Sequence, residues 1–185
     1  MDWMSPHEHF RSLKGLLKYE TAPIPEGFAA YMFIPWELIY DNLPTSESSW
    51  AFGVIPWTRD GGFTWGSGQV HELHKFGQLQ FKGIEKIMPQ IKKNLVMSAW
   101  GKFSKTYGSI NTFWNDEIHG DPAFASEVLA PYIDKLKKAG EKVNVNMDAA
   151  TVNDLFENYV ADWNEFRYRV DGLRADYLKK QLFAE

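Results

Sequence analysis

The spacing of hydrophobic positions changes near residue 83. Before it, from Phe28 to Phe81, apolar residues come in short runs or alternate with polar ones, the pattern of strands. The run Phe28-Ala-Ala-Tyr-Met-Phe-Ile34 lies between Pro23, Pro25 and Gly27 on one side and Pro35 on the other, and predicts a strand. Residues 36–40 suit a single helical turn and residues 43–49 a polar loop. Residues 50–57 predict a second strand with Trp50, Phe52 and Val54 on one face. Pro56 cannot donate to a ladder, so that end lies at an edge, a bulge or a terminus. Residues 58–68 form a glycine-rich loop that holds Phe63 and Trp65, and residues 76–81 predict a third strand.

Beyond Gly83 the period is helical. Residues 84–100 predict a helix that Pro89 starts or kinks, and residues 101–120 read as aromatic and irregular. Asp121-Pro122 is an N-cap followed by proline at the first helical position, opening a helix to Gly140 that Pro131 splits. Asp148 caps the strongest element, which runs to about Phe183. Its apolar residues Val152, Phe156, Tyr159, Trp163, Phe166, Val170, Leu173 and Tyr177 repeat at alternating spacings of four and three, an unbroken stripe. A helix with one such seam must bury it, on the rest of its own domain or on a second copy.

Composition narrows the function classes. Twenty Lys and Arg against 24 Asp and Glu give a net charge of −4, which argues against a nucleic-acid partner. No apolar run approaches the ~20 residues that span a bilayer as a helix, so no membrane partner is expected. The absence of cysteine excludes disulfides, cysteine-based zinc sites and thiol nucleophiles. Charged residues interrupt the first twenty positions, so no signal peptide is expected there. The 16% aromatic content is regional, with seven of the eight tryptophans in the first 114 residues. Tryptophan offers a flat apolar face and one N–H donor, which suits either an aromatic core or a stacking surface for neutral ligands.

The stretches Tyr31-Met-Phe-Ile-Pro-Trp-Glu-Leu38, Trp50-Ala-Phe-Gly-Val-Ile55, Gly61-Gly-Phe-Thr-Trp-Gly66 and Phe76-Gly-Gln-Leu-Gln-Phe81 occur in that order. Together they resemble the second half of a family 9-like carbohydrate-binding module, one of the DOMON-like β-sandwiches. The likeness covers residues 18–82. It implies a partial antiparallel β-sandwich over residues 1–83; the helical pattern beyond, which is no part of that family, adds a helical extension over 84–185 with one long amphipathic helix, and the chain is expected to be α+β. The likeness also implies non-catalytic binding of a polysaccharide or oligosaccharide, accessory to glycan degradation. The family's first half is missing, from which either a piece of a longer glycan-active protein or a degenerate gene start is expected. The family is typically exported, which points to an extracellular or periplasmic setting. Structural calcium occurs in some members, but no ligand set in this chain places it, and no cofactor is expected.

Sugar binding needs a flat apolar face for the C–H side of a pyranose and planar polar groups for its hydroxyls. Trp57 and Trp65 are the candidate platforms, with Trp65 the better placed for an exposed ring. Arg59, Asp60, Gln69 and His71 are the candidate hydroxyl partners. The alternative at these positions is a core Trp57 and an Arg59–Asp60 pair at a turn, while Trp36 and Trp50 read as core. His71-Glu-Leu-His74 lacks the spacing of a zinc helix, so no metal site is expected. The carboxylates Glu37, Asp60, Glu72, Asp116 and Glu117 have no spacing that fixes a catalytic pair, and neither phosphate-binding glycine motif occurs. A non-enzymatic role follows. The second reading is an interaction domain with a lost sugar site, self-associating through the helix at 148–183.

Overall fold

A computed structural model describes residues 18–25, 27–53, 57–58, 61–62, 73–116 and 121–183. The chain divides into two compact units, Met1–Asp41 with Pro89–Glu185 and, between them in sequence, Asn42–Met88.

The first unit is built on helices. α1 spans Met88–Asp116, with Pro89 in the first turn, where no N–H is required. Ile91, Leu95, Val96, Ala99 and Phe103 form its buried stripe. The irregular stretch expected after Trp100 is instead a continuation of this helix through Gly101 and Gly108. Two internal glycines cost about 1 kcal/mol each against alanine, but the spacing of Trp100, Phe103 and Tyr107 supplies a continuous aromatic face. The ring of Phe103 lies 5.6 Å from Trp100 and 5.2 Å from Tyr107. Packing overrides local propensity here.

The Asp121 side chain accepts from the N–H groups of Ala123 and Phe124 and opens α2, Pro122–Phe124. A π-helical stretch, Ala125–Leu129, runs directly into α3, Ala130–Gly140. Pro131 has no N–H to give and its ring crowds the carbonyl four residues back, so the helix widens ahead of it rather than splitting. The buried positions Phe124, Leu129, Ile133, Leu136 and Ala139 follow the same widening, because a five-residue step returns to one face only across a π turn.

α4 spans Ala149–Asn164 and α5 spans Phe166–Phe183. The single long helix expected from the stripe is thus divided at Glu165, whose φ of −109° and ψ of 20° leave the helical region. The stripe survives the break: Val152, Trp163, Phe166 and Val170 are buried, while Phe156, Tyr159, Leu173 and Tyr177 pack half-buried against the core of their own chain. Leu155 and Val160, off the stripe, are also fully buried. Trp163 lies 5.6 Å from Trp100, and Phe166 meets Phe103 edge-on at 5.0 Å. The Trp163 indole N–H, which needs a partner inside, donates to the Leu136 carbonyl at 3.3 Å.

The strands do not assemble into a sandwich. β1 (Lys18–Ile24) pairs antiparallel with β2 (Gly27–Phe33), in register from Lys18 opposite Phe33 to Ile24 opposite Gly27. Gly27 has φ of 148°, open to glycine and strained for other residues. All of β1 is exposed, as are Tyr31, Met32 and Phe33 of β2. β3 (Ser49–Phe52) pairs with β6 (Gly77–Gln80), and β4 (Trp57–Thr58) pairs with β5 (Gly61–Gly62). Among the described residues these are three separate two-stranded ladders. A sandwich requires two broader sheets that bury facing surfaces. The expected partial β-sandwich is therefore corrected: the packed core is helical, and the small ladders leave the chain α+β only in the loose sense.

Candidate functional site

Of the six residues the sequence singles out for sugar contact, Trp57 lies in β4, opposite Gly62. Arg59, Asp60, Trp65, Gln69 and His71 lie outside the described residues, as do Glu72 and Glu117.

Around them, the described part of the Asn42–Met88 unit presents one ladder with two chemically different faces. Alternation along β3 and β6 puts Trp50, Phe52 and Leu79 on one face and Ser49, Ala51, Gln78 and Gln80 on the other. Trp50 is half-buried and meets Phe81 edge-on, with ring centroids 4.8 Å apart. Trp36, in a short 3-10 turn before the unit, is also half-buried. A β-carbon at Gly53 would lie 2.7 Å from the Phe76 ring, so this glycine gives the ring room to lie on the main chain. On the opposite face the Ser49 hydroxyl donates to the Gln78 side-chain carbonyl at 2.5 Å. Gln78 and Gln80 are both exposed. A primary amide carries two donors and an acceptor in one plane, a match for neighbouring hydroxyls. In the sequence Gln78 and Gln80 alternate with Leu79 and Phe81, a pattern that carries no role by itself.

The helical unit contains a second polar group. At the break between α4 and α5, Arg169 Nε lies 3.3 Å from Asp162 and Arg169 Nη2 lies 3.4 Å from Glu165. The Tyr40 hydroxyl donates to the other Glu165 oxygen. Burial raises the Tyr40 phenol above its usual range, and the Glu165 hydrogen bond and charge add to the shift. Tyr132 is raised first by burial and then by the negative charge of Asp162. Its buried hydroxyl has no hydrogen-bond partner among the described residues. One guanidinium is shared by both carboxylates. The arrangement fastens Tyr40 to the helix break. The acid–base spacings 162/169 and 165/169 were visible in the sequence, but nothing there linked them to Tyr40.

Among the described residues, no group of three or more His, Asp or Glu side chains is placed to hold a metal ion. No described helix is long and apolar enough to cross a membrane. No family model matches the chain, and no curated protein or solved structure matches it either.

Proposed function

We propose that the chain binds carbohydrate without transforming it, through the Asn42–Met88 unit. The observation that carries this reading is the ordered set of four motif pieces between Tyr31 and Phe81. The exposed amide face of β3 and β6 supports it, because it adds hydroxyl-matching groups on a strand within the same stretch. Trp65, with Trp57 as second platform, stacks on the sugar ring, and Arg59, Asp60, Gln69 and His71 bond its hydroxyls. The reading needs no sandwich, only a surface that holds ring and planar polar groups together. Because the ligand is uncharged, its affinity depends weakly on salt.

The test is a tryptophan-fluorescence titration of the full chain with neutral plant and microbial oligosaccharides. A saturable response that Trp65→Ala abolishes supports the reading. A well-folded protein with no response to the panel overturns it, and binding that survives Trp65→Ala overturns the role of that ring.

A second reading, self-association through the C-terminal helix, is favoured by Leu178, Leu182 and Phe183, exposed at 41%, 77% and 81% near its end. Sedimentation equilibrium tests it: a concentration-dependent dimer lost in Leu182→Glu supports assembly, and a monomer throughout excludes it.

A further inference from the structure

On the helical unit, Pro131, Asp134, Lys135, Lys138, Lys142 and Tyr159 line an open groove of about 580 Å3. That volume falls within the range of small-ligand sites. Lys135, Lys138 and Lys142 are spaced three and four apart, so they follow one face of α3 and its terminal turn. They concentrate positive charge in a chain whose net charge is −4. Lysines in the last turn of a helix, such as Lys137 and Lys138 here, complement the partial negative charge of its end. That effect accounts neither for Lys142, beyond the helix, nor for the groove.

Two of the three ammonium groups are held in place. Lys135 Nζ sits over the Tyr159 ring, 5.4 Å from its centroid, and that ring is stacked on the buried Trp163 at 5.8 Å. Lys142 Nζ lies 3.6 Å from Asp154. Lys138 makes no ion pair among the described residues. The groove thus combines a cation with no ion pair among the described residues, one seated over an aromatic ring, one paired with Asp154, an aromatic wall anchored in the core and one lining carboxylate, Asp134, a helical turn before Lys138.

We infer that this groove binds a hydroxylated ring carrying a negative charge, a sugar acid or a sugar phosphate. The lysines meet the anionic group, the Asp134 carboxylate accepts from ring hydroxyls, and Pro131 with the Tyr159 ring supplies apolar surface for the C–H face. The shared chemistry is an anion on a polyol ring, and the site is separate from the neutral-sugar surface proposed above.

Calorimetric titration of the full chain at low salt tests it with four probes: trigalacturonate, glucose 6-phosphate, neutral cellotriose and citrate. Saturable binding of trigalacturonate alone identifies a sugar acid, and binding of glucose 6-phosphate alone identifies a phosphate ester. In either case added salt weakens binding. Lys138→Glu weakens it by about tenfold, since charge reversal turns an exposed attraction into a repulsion of similar size. Lys138 is exposed, so the variant keeps the wild-type circular dichroism and loses only the small contribution of a cation at the helix end to its melting temperature, and Trp65→Ala leaves groove binding unchanged. The inference is overturned if neither acidic probe binds, if citrate binds as tightly as they do, or if the Lys138→Glu protein retains full affinity. Cellotriose binding that Lys138→Glu weakens equally also overturns it, because charge would then not be what is recognised.

Discussion

Gly140 closes α3 beneath the Trp100 ring, and replacing it with alanine probes how closely that ring lies on the main chain. A β-carbon there would lie 2.3 Å from Cη2 and Cζ3 of Trp100 and 2.5 Å from Cε3. Ordinary contact begins at 3.4 Å, so the ring must retreat by the difference. Retreat is obstructed, because Trp100 already packs at 5.6 Å against both Phe103 and Trp163. Overfilling a packed core costs about 1–3 kcal/mol. Against this, alanine in place of glycine returns at most about 1 kcal/mol of helix propensity, and less at a helix end. The expected net is a loss of about 1–2 kcal/mol, or roughly 2–8 °C in melting temperature for a chain of this size. Gly101 and Gly172 provide the contrast: both are helical and a β-carbon at either meets nothing within 4 Å. Alanine at those positions should stabilise by about 0.5–1 kcal/mol. Urea unfolding followed by circular dichroism compares the three variants directly. Combining Gly140→Ala with Trp100→Leu should recover part of the loss, with a coupling of about 0.5–3 kcal/mol. A Gly140→Ala protein as stable as wild type, or stabilised like Gly101→Ala, would refute the placement of Trp100 on this glycine.

Three further outcomes are expected. Asp121→Ala removes the acceptor for two backbone N–H groups and should lower stability by about 1 kcal/mol in urea melts. Asp148, held below the usual carboxylate range by the Thr151 backbone N–H, stabilises the fold above the pKa of an unfolded aspartate, about 3.9. The stability difference between wild type and Asp148→Ala should therefore be full near neutral pH and vanish as pH falls through the lower folded value. Tyr40 and Tyr132 keep their protons in the folded state at pH values where unfolded tyrosine, with a pKa of about 10, has lost them. Their contribution is full below pH ~10 and is lost as pH rises further, so the Tyr40→Phe/Tyr132→Phe double variant should show a shallower alkaline decline in stability. At neutral pH Tyr40→Phe should be the costlier single change, because it deprives Glu165 of a donor, whereas the Tyr132 hydroxyl has no partner among the described residues.

Helices read more truly from this sequence than strands did, for a physical reason. The stripe from Val152 to Tyr177 is a local pattern, and a helix satisfies its backbone within itself, so the buried residues could be named before their partners were known. The break at Glu165 left no trace in that pattern, because it falls between stripe residues and is fastened by Tyr40, 125 positions away in sequence. Residues 101–116 misled in the opposite sense: the stretch read as aromatic and irregular, whereas the chain is helical there and the rings of Trp100, Phe103 and Tyr107 pack along it. For the strands, a bounded apolar run identified β2 and alternation β3 and β6, but neither carried information on which would pair or on how wide a sheet would grow. Widening a ladder into a sandwich depends on distant partners, and strand propensity is itself a property of those neighbours. The amide face of Gln78 and Gln80 was legible as alternation, and the Arg169 cluster as acid–base spacing, while the links that give each its chemistry are tertiary.

The wide turn at Ala125–Leu129 makes the helical unit sensitive to chain length at that point rather than to residue type. One residue fewer would restore an ordinary helix and swing everything on its N-terminal side by about 100° about the axis. Phe124 would leave its place between Tyr177, at 5.5 Å, and the Arg174 guanidinium, also at 5.5 Å. Substitutions at the exposed positions of the turn, Ser126 and Glu127, leave this arrangement standing, whereas a single-codon deletion detaches the second half of α5 from Phe124 without touching either partner.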